Sequence, residues 1–128
     1  MSSPPDLASP PDLATSAWTR QLGTAGFDVG IDVAIDGAGA VYVSGVTDGA
    51  LDGNPSAGGQ DAFVVKLDGA GNRLWTRQFG TPATEWAYGV APDGAGSIYV
   101  TGSTQGGLDG NPNAGSDDVI LAKLPATP

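Results

Sequence analysis

The chain repeats itself with a period of 57 residues. When Trp18 is placed over Trp75 and the chain is read on without a gap, residues 18–67 and 75–124 share 27 identities in 50 positions. WTRQLGT becomes WTRQFGT, DGAGAVYVSG becomes DGAGSIYVTG, and LDGNPSAG becomes LDGNPNAG. Apolar residues stay apolar where they differ, as in Phe63 and Ile120. The chain therefore consists of two copies of one structural unit.

Each copy is predicted to form four short strands. Residues 29–35, VGIDVAI, alternate apolar with small or polar side chains, the period of two that marks a β-strand. Further strands are expected over 40–45, 62–67 and 72–79, and the third is so apolar that both its faces should be covered. The sequence Asp-Gly-Ala-Gly occurs three times between apolar runs and predicts tight hairpins, with glycine where a positive φ is needed. A long loop, 46–60, joins the second strand to the third, and no stretch favours a helix.

The two ends of the repeat are staggered. WTRQLG at 18–23 matches a fourth strand with no unit before it, so a strand is expected there. The second copy ends on its third strand, because LPATP replaces the next Asp-Gly-Ala-Gly. This offset is what a ring of repeated sheets needs if its first and last strands complete one sheet.

Composition excludes most catalytic chemistry. The 128 residues include neither cysteine nor histidine, so disulfides, thiolate nucleophiles, Ser-His-Asp triads and sites with Cys or His metal ligands are all impossible. Glu85 is the single glutamate. The chain is therefore predicted not to be an enzyme.

Charge and hydropathy also limit which partners the chain can bind. The formal net charge is −9, which repels phosphate backbones and argues against nucleic-acid binding. No apolar run reaches the length of about 18 residues that spans a membrane, and no signal peptide is visible at the N-terminus. An extracytoplasmic protein or a cation binder is consistent with this acidity.

The duplicated loop offers oxygen atoms that could bind calcium. Calcium takes about six to eight oxygen ligands, often from carboxylates and loop carbonyls, although the spacing here does not fit an EF-hand. The alternative is turn chemistry, because Asp-Gly and Asn-Pro both start turns and aspartates bond to nearby backbone N–H groups. The candidate ligands are Asp52, Asn54, Asp61, Asp109, Asn111, Asp117 and Asp118.

Other candidate sites are weaker or break the repeat. Carboxylates that could be proposed for glycoside hydrolysis (Asp32, Asp36, Asp93 and Glu85) mostly recur in both copies, and Asp36 and Asp93 open hairpins, which favours a structural role. Trp86 aligns with Val29 and has no aromatic counterpart, so with Tyr88 it could bind a sugar or a protein partner. The alternative for both aromatic residues is core packing.

Four strands in a unit of this length, with glycine-rich hairpins and a recurring tryptophan, predict β-propeller blades. The runs WTRQFGT, DGAGSIYVTGST and DAFVVKLDGAGN resemble the bacterial SBBP repeat, the seven-bladed β-propeller repeat, over about 18–124. The resemblance implies an all-β, propeller-type fold in extracytoplasmic or surface proteins, without an established catalytic site. Since propellers close with about four to eight blades, the two blades are part of a longer protein, assemble with other chains into a ring, or simply stack.

The predicted organisation is a Pro-rich leader over 1–17, a first repeat over 18–74 and a second over 75–128. The leader repeats Ser-Pro-Pro-Asp-Leu-Ala and resembles the linkers behind the lipidated N-terminus of bacterial lipoproteins, which would place the secretion signal upstream of Met1. The predicted function is a non-enzymatic scaffold that binds protein or glycan partners through blade loops. The alternatives are a fragment of a quinoprotein-like propeller enzyme, which DGAGNRLW superficially resembles, and a calcium-stabilised surface adhesion module.

Overall fold

Seven antiparallel strands form two sheets in the computed structural model, which describes residues 17–127. The first sheet, blade 1, has the order β1-β2-β3-β4 and the second, blade 2, has the order β5-β6-β7. The strands are β1 (Asp28–Ile35), β2 (Val41–Thr47), β3 (Asp61–Leu67), β4 (Arg73–Phe79), β5 (Glu85–Pro92), β6 (Ser97–Thr104) and β7 (Asp118–Pro125). The all-β prediction with two repeated blades is confirmed, whereas the leader predicted over 1–17 lies outside the described residues except for Ala17.

Each of the three Asp-Gly-Ala-Gly segments makes a hairpin turn that its own aspartate closes. Asp36 Oδ1 accepts the backbone N–H groups of Ala38 at 2.9 Å and Ala40 at 3.0 Å, and the two later turns repeat this pattern. The last glycine of the first turn, Gly39, has a φ of 87°, a conformation that favours glycine. The predicted reason for these glycines is therefore confirmed.

A β-bulge in the first strand of each blade was not predicted. The register of β1 against β2 shifts between Gly30 and Asp32, and β5 against β6 shifts at the equivalent place. Opposite each bulge the backbone comes so close that a Cβ on Gly45 would lie 1.9 Å from a main-chain carbonyl oxygen, and one on Gly102 would lie 1.8 Å away. Glycine is thus required at this position in both copies.

The two blades pack face to face through an apolar core. Tyr42, Ala62 and Val64 of blade 1 are fully buried against blade 2, and the blade 2 side of the same core contains Ala87, Val90, Ile98 and Val100. Burial raises the pKa of Tyr42 to about 12, together with the hydrogen bond that its hydroxyl donates to Asp36. The tyrosine therefore stays neutral and joins the hairpin to the core.

Basic and aromatic side chains fasten one blade to the next. Lys66 Nζ and Trp75 Nε1, both from blade 1, donate to the carbonyl oxygen of Ala126 beyond β7, at 2.8 and 3.0 Å. In the same way Arg20 donates through Nε to the carbonyl oxygen of Gly71 at 2.7 Å. Main-chain carbonyl oxygens are thus the hydrogen-bond acceptors of Lys66 and Arg20.

The strand expected over 18–23 does not form within the described chain. These residues have the sequence of β4, but no strand of their own chain pairs with them. A strand exists only through hydrogen bonds to a neighbouring strand. Two segments that differ only at Leu22 and Phe79 therefore form a strand in one place and an irregular segment in the other. Within residues 17–127, no helix is long and apolar enough to cross a membrane.

Candidate functional site

The duplicated loop of blade 1 is held against β4. It contains a short 3-10 turn, Leu51–Gly53, in which Asp52 takes a φ of 54° that is uncommon for a residue with a side chain. Asp52 forms an ion pair with Arg73 at 2.6 Å and accepts a short hydrogen bond from the hydroxyl of Thr76. Asn54 Nδ2 donates to the carbonyl oxygen of Leu51 at 2.9 Å. Both carboxylate oxygens of Asp52 thus already have protein partners, whereas the Asn54 contact uses its side-chain nitrogen.

Asp61, the third candidate in this loop, is fully buried at the start of β3. Its Oδ2 atom accepts hydrogen bonds from the backbone N–H of Ala57 at 2.7 Å and from Gln78 Nε2 at 2.9 Å. Its Oδ1 atom has no hydrogen-bond partner among residues 17–127. Gln78 also accepts from the N–H of Leu51 at 2.9 Å and donates to the carbonyl oxygen of Gly49 at 2.7 Å, so one side chain ties the loop to the outer strand.

The equivalent loop of blade 2 has the same local shape and fewer partners. Asp109 has a φ of 52°, Asn111 Nδ2 donates to the carbonyl oxygen of Leu108 at 3.0 Å, and Asp118 Oδ2 accepts from Ala114 N–H at 2.7 Å. Asp117 accepts only a long hydrogen bond, 3.5 Å, from the neighbouring serine hydroxyl.

Residues 17–127 contain no group of three or more acidic side chains that could hold a metal ion. Asp61 and Asp118 each accept a hydrogen bond from a backbone N–H of their own loop, as the alternative interpretation of the sequence expects, and calcium binding stays a hypothesis.

The carboxylates considered for hydrolysis each have a structural contact. Glu85 is fully buried, where it accepts from Thr81 N–H at 2.7 Å and from the hydroxyls of Thr81 and Thr104 at 2.6 and 2.7 Å. Asp32 accepts from Val90 N–H at 3.0 Å, across the two blades. Burial raises the pKa of Asp36, but the N–H of Ala40 and the hydroxyl of Tyr42 outweigh it, and the net shift is downward.

An aromatic pair breaks the repeat on β5, the strand that begins blade 2. The rings of Trp86 and Tyr88 lie 5.8 Å apart and are inclined at 38°. Trp86 is half-buried and its Nε1 donates to Gln60 Oε1 at 2.8 Å, while Tyr88 is 50% exposed. The two rings form a shallow surface, and the tyrosine is its solvent-exposed end. This arrangement is suited to stacking against a sugar ring or an apolar side chain.

The partner of Trp86 comes from the end of the duplicated loop of blade 1. The main-chain carbonyl oxygen of Gln60 also accepts a hydrogen bond from Glu85 N–H, at 2.7 Å. Close by, a Cβ on Gly59 would lie 2.3 Å from the carbonyl oxygen of Ala83, so this loop lies directly on the link between the blades. Sequence reasoning missed Gln60, because it aligns with Asp117 and no local pattern marks it.

Comparison with known proteins agrees with the fold. A family model for the SBBP β-propeller repeat matches residues 17–51 and 74–109, and the starts of the two matches are separated by the 57-residue period of the sequence. No curated protein matches the chain.

Proposed function

This chain belongs to the SBBP β-propeller repeat family, and on that basis we propose that it is a non-enzymatic, extracytoplasmic module that binds a glycan through Trp86 and Tyr88. This family is defined by a structural repeat and not by a catalytic activity. The observation that carries the proposal is the half-exposed aromatic pair on β5. Blade 1 has Val29 and Ile31 at the same positions, so the aromatic residues are not needed to build a blade.

The chemistry of the surface favours a neutral sugar. A net charge of −9 repels acidic polysaccharides and anionic surfaces. Aromatic rings instead bind the apolar face of a sugar, and a tyrosine hydroxyl adds a hydrogen bond at the wet edge. A neutral oligosaccharide is therefore the ligand that this surface fits.

The test uses the other blade as the source of conservative variants. A panel of soluble neutral oligosaccharides is titrated against the chain, with tryptophan fluorescence and calorimetry as the readouts. Tyr88→Ile and Trp86→Val give blade 2 the residues of blade 1, and each is expected to weaken binding about tenfold, or about 1.4 kcal/mol. Leu74→Ala, at another exposed apolar residue, serves as the control and should bind like the unchanged chain.

Two outcomes contradict the proposal. One is the absence of binding to any member of the panel, and the other is binding that survives both substitutions. Unchanged thermal unfolding of the two variants would show that a loss of binding reflects the surface and not the fold.

Location is tested separately. The extracytoplasmic assignment is supported by the acidic charge and by a leader that resembles lipoprotein linkers. Protease added to intact cells should degrade an exposed module. Protection until the cells are lysed would contradict a surface location.

A further inference from the structure

The interface between the two blades provides a template for a second interface. On the blade 1 side, Tyr42, Ala62 and Val64 are fully buried. Their counterparts 57 residues later are Tyr99, Val119 and Leu121, on the outer face of blade 2. There Val119 is 86% exposed and Leu121 is 73% exposed, while Lys123 lies over the ring of Tyr99 at 5.8 Å, much as Lys66 lies over Tyr42 at 5.4 Å.

The other half of the template is also uncovered. Val90, Ile98 and Val100 form the buried blade 2 side of the core, and their counterparts on blade 1 are Val33, Val41 and Val43. Val33 is 60% exposed, and a cavity of about 410 Å³ opens over this outer face of blade 1. The chain thus carries both halves of its own internal interface, and on the blade 1 half Val33 is exposed while Val41 and Val43 are half-buried.

A groove runs along the edge of β7, where residues 17–127 supply no fourth strand to blade 2. In blade 1 the same edge, that of β3, pairs with β4. The groove has a volume of about 490 Å³ and is lined by the duplicated loop and by β7, including Leu108, Asn111, Val119 and Leu121. The duplicated loop on one side of the groove lacks the hydrogen bonds that Gln78 makes to the equivalent loop of blade 1.

The segment Trp18–Leu22 has the sequence to fill such a groove. It reads WTRQL where β4 reads WTRQF over residues 75–79. It is also already placed for the role, because Trp18 Nε1 donates to the carbonyl oxygen of Gly69 at 3.1 Å, as Trp75 Nε1 does to that of Ala126 at 3.0 Å. Gly69 and Ala126 are themselves 57 residues apart, so the segment is held by blade 1 in the way that blade 2 holds β4.

We propose that a second copy of this chain inserts its Trp18–Leu22 segment into the groove beside β7 and packs its blade 1 outer face on the outer face of blade 2. The pairs of β3 with β4 fix the register: Ala62 opposite Phe79 becomes Val119 opposite Leu22, and Lys66 opposite Trp75 becomes Lys123 opposite Trp18.

The same shift of 57 residues predicts the contacts of the duplicated loop. Gln78 binds Leu51 N–H and the carbonyl oxygen of Gly49, so Gln21 of the second copy binds Leu108 N–H and the carbonyl oxygen of Gly106. This contact is heterologous, since two different surfaces meet, and its repetition closes a ring when the rotation permits.

One difference makes the contact between chains weaker than the one within the chain. Val90 N–H donates to Asp32 across the internal interface, but Gly89 stands where blade 2 would need that aspartate. The contact between chains therefore lacks one charge-assisted hydrogen bond. We expect association to depend on protein concentration, whereas the two blades of one chain stay together.

The heterologous geometry gives a specific test by sedimentation of the full chain over a range of concentrations. Val33→Glu places a charge in the apolar outer face of blade 1, and Leu121→Glu places one in the apolar outer face of blade 2. Each variant alone should remain a monomer, but a mixture of the two should form a one-to-one dimer, because each retains the face that the other has lost. Leu74→Glu, an exposed leucine that belongs to neither set, should assemble like the unchanged chain.

Register is tested by cross-linking, which is clean because the chain has no cysteine. Leu22→Cys mixed with Val119→Cys should give a covalent dimer under mild oxidation. Ile120→Cys, whose side chain points to the opposite face of β7, should give at least tenfold less. Far-ultraviolet circular dichroism of each variant confirms that it is folded.

A chain that stays monomeric up to its solubility limit would overturn the proposal. So would a mixture of Val33→Glu and Leu121→Glu that fails to dimerise while the unchanged chain associates, since the contact would then use other surfaces. Trp86 is paired through Ser103 with Val119, so it lies on the same outer face of blade 2. Val33→Glu leaves that face unchanged and should stay monomeric, so sugar binding is measured on this variant and is thereby separated from association.

Discussion

Gln78 should be among the most costly polar residues to remove. Its side chain makes three hydrogen bonds, to Leu51 N–H, to the carbonyl oxygen of Gly49 and to the buried carboxylate of Asp61. Two neutral bonds at about 0.5–1 kcal/mol each and one to a carboxylate at about 1.5 kcal/mol sum to about 3 kcal/mol. Gln78→Ala should therefore lower the free energy of unfolding by about 3 kcal/mol and the melting midpoint by about 10–20 °C.

The repeat supplies the matched control. Gln21 is the same residue at the same place in the period, but it is exposed in the single chain. Gln21→Ala should change the free energy of unfolding by less than about 0.5 kcal/mol. Urea titrations followed by tryptophan fluorescence, at a dilution where the chain is monomeric, measure both variants. Equal stability of the two variants would refute the reasoning, since it would mean that the loop is not held by the outer strand.

Four other outcomes follow from the structure. Gly102→Ala should cost about 2 kcal/mol or more in urea titrations, because its Cβ would lie 1.8 Å from a main-chain oxygen, while Gly37→Ala, with open space around it, should cost little. Glu85→Gln should cost about 2–3 kcal/mol in thermal unfolding, because a buried amide cannot accept all three hydrogen bonds that the carboxylate accepts. Backbone N–H groups lower the pKa of Asp68 and of Asp93 in the folded state. The stability that these two carboxylates contribute is complete above the unfolded pKa of 3.8 and is lost as the pH falls through the lower folded values. Melting midpoints measured against pH should therefore fall in acid, and Asp68→Asn and Asp93→Asn should reduce that fall. Melting midpoints in calcium and in EDTA should be equal, because residues 17–127 contain no group of three or more acidic side chains that could hold a metal ion, and a midpoint raised by calcium would contradict this.

Much of the fold could be predicted, because the sequence states it twice. The alternation in 29–35 predicts a strand that the structure extends by one residue, as Asp28–Ile35, and the run at 62–67 becomes Asp61–Leu67. Apolar alternation and Asp-Gly-Ala-Gly turns are local signals, so they can be read from a few neighbouring residues. The bulge opposite Gly45 depends on the partner strand and gives no such local signal.

The candidate site was harder to predict, because its contacts are distant in sequence. Trp86 and Tyr88 stand out as departures from the repeat, but the bond from Trp86 to Gln60 spans two blades. Likewise Lys66 donates to the carbonyl oxygen of Ala126, 60 residues away, and no sequence pattern around either residue predicts this contact. Contacts of this kind come from how sheets pack, which the period alone does not specify.

The comparison of equivalent positions says more about what this chain contacts than either blade says alone. Ala62 and Val64 are buried in blade 1, yet blade 2 has the larger apolar residues Val119 and Leu121 where the same positions face solvent. A position that served only as surface would have no reason to be more apolar than its buried counterpart, and contiguous exposed apolar residues mark interaction sites. The same holds for WTRQL, which keeps the hydrogen-bonding side chains of β4 although none of the strands in residues 17–127 pairs with it. Both features are explained together if the edge and face of blade 2 are covered by another copy of the surface that blade 1 presents.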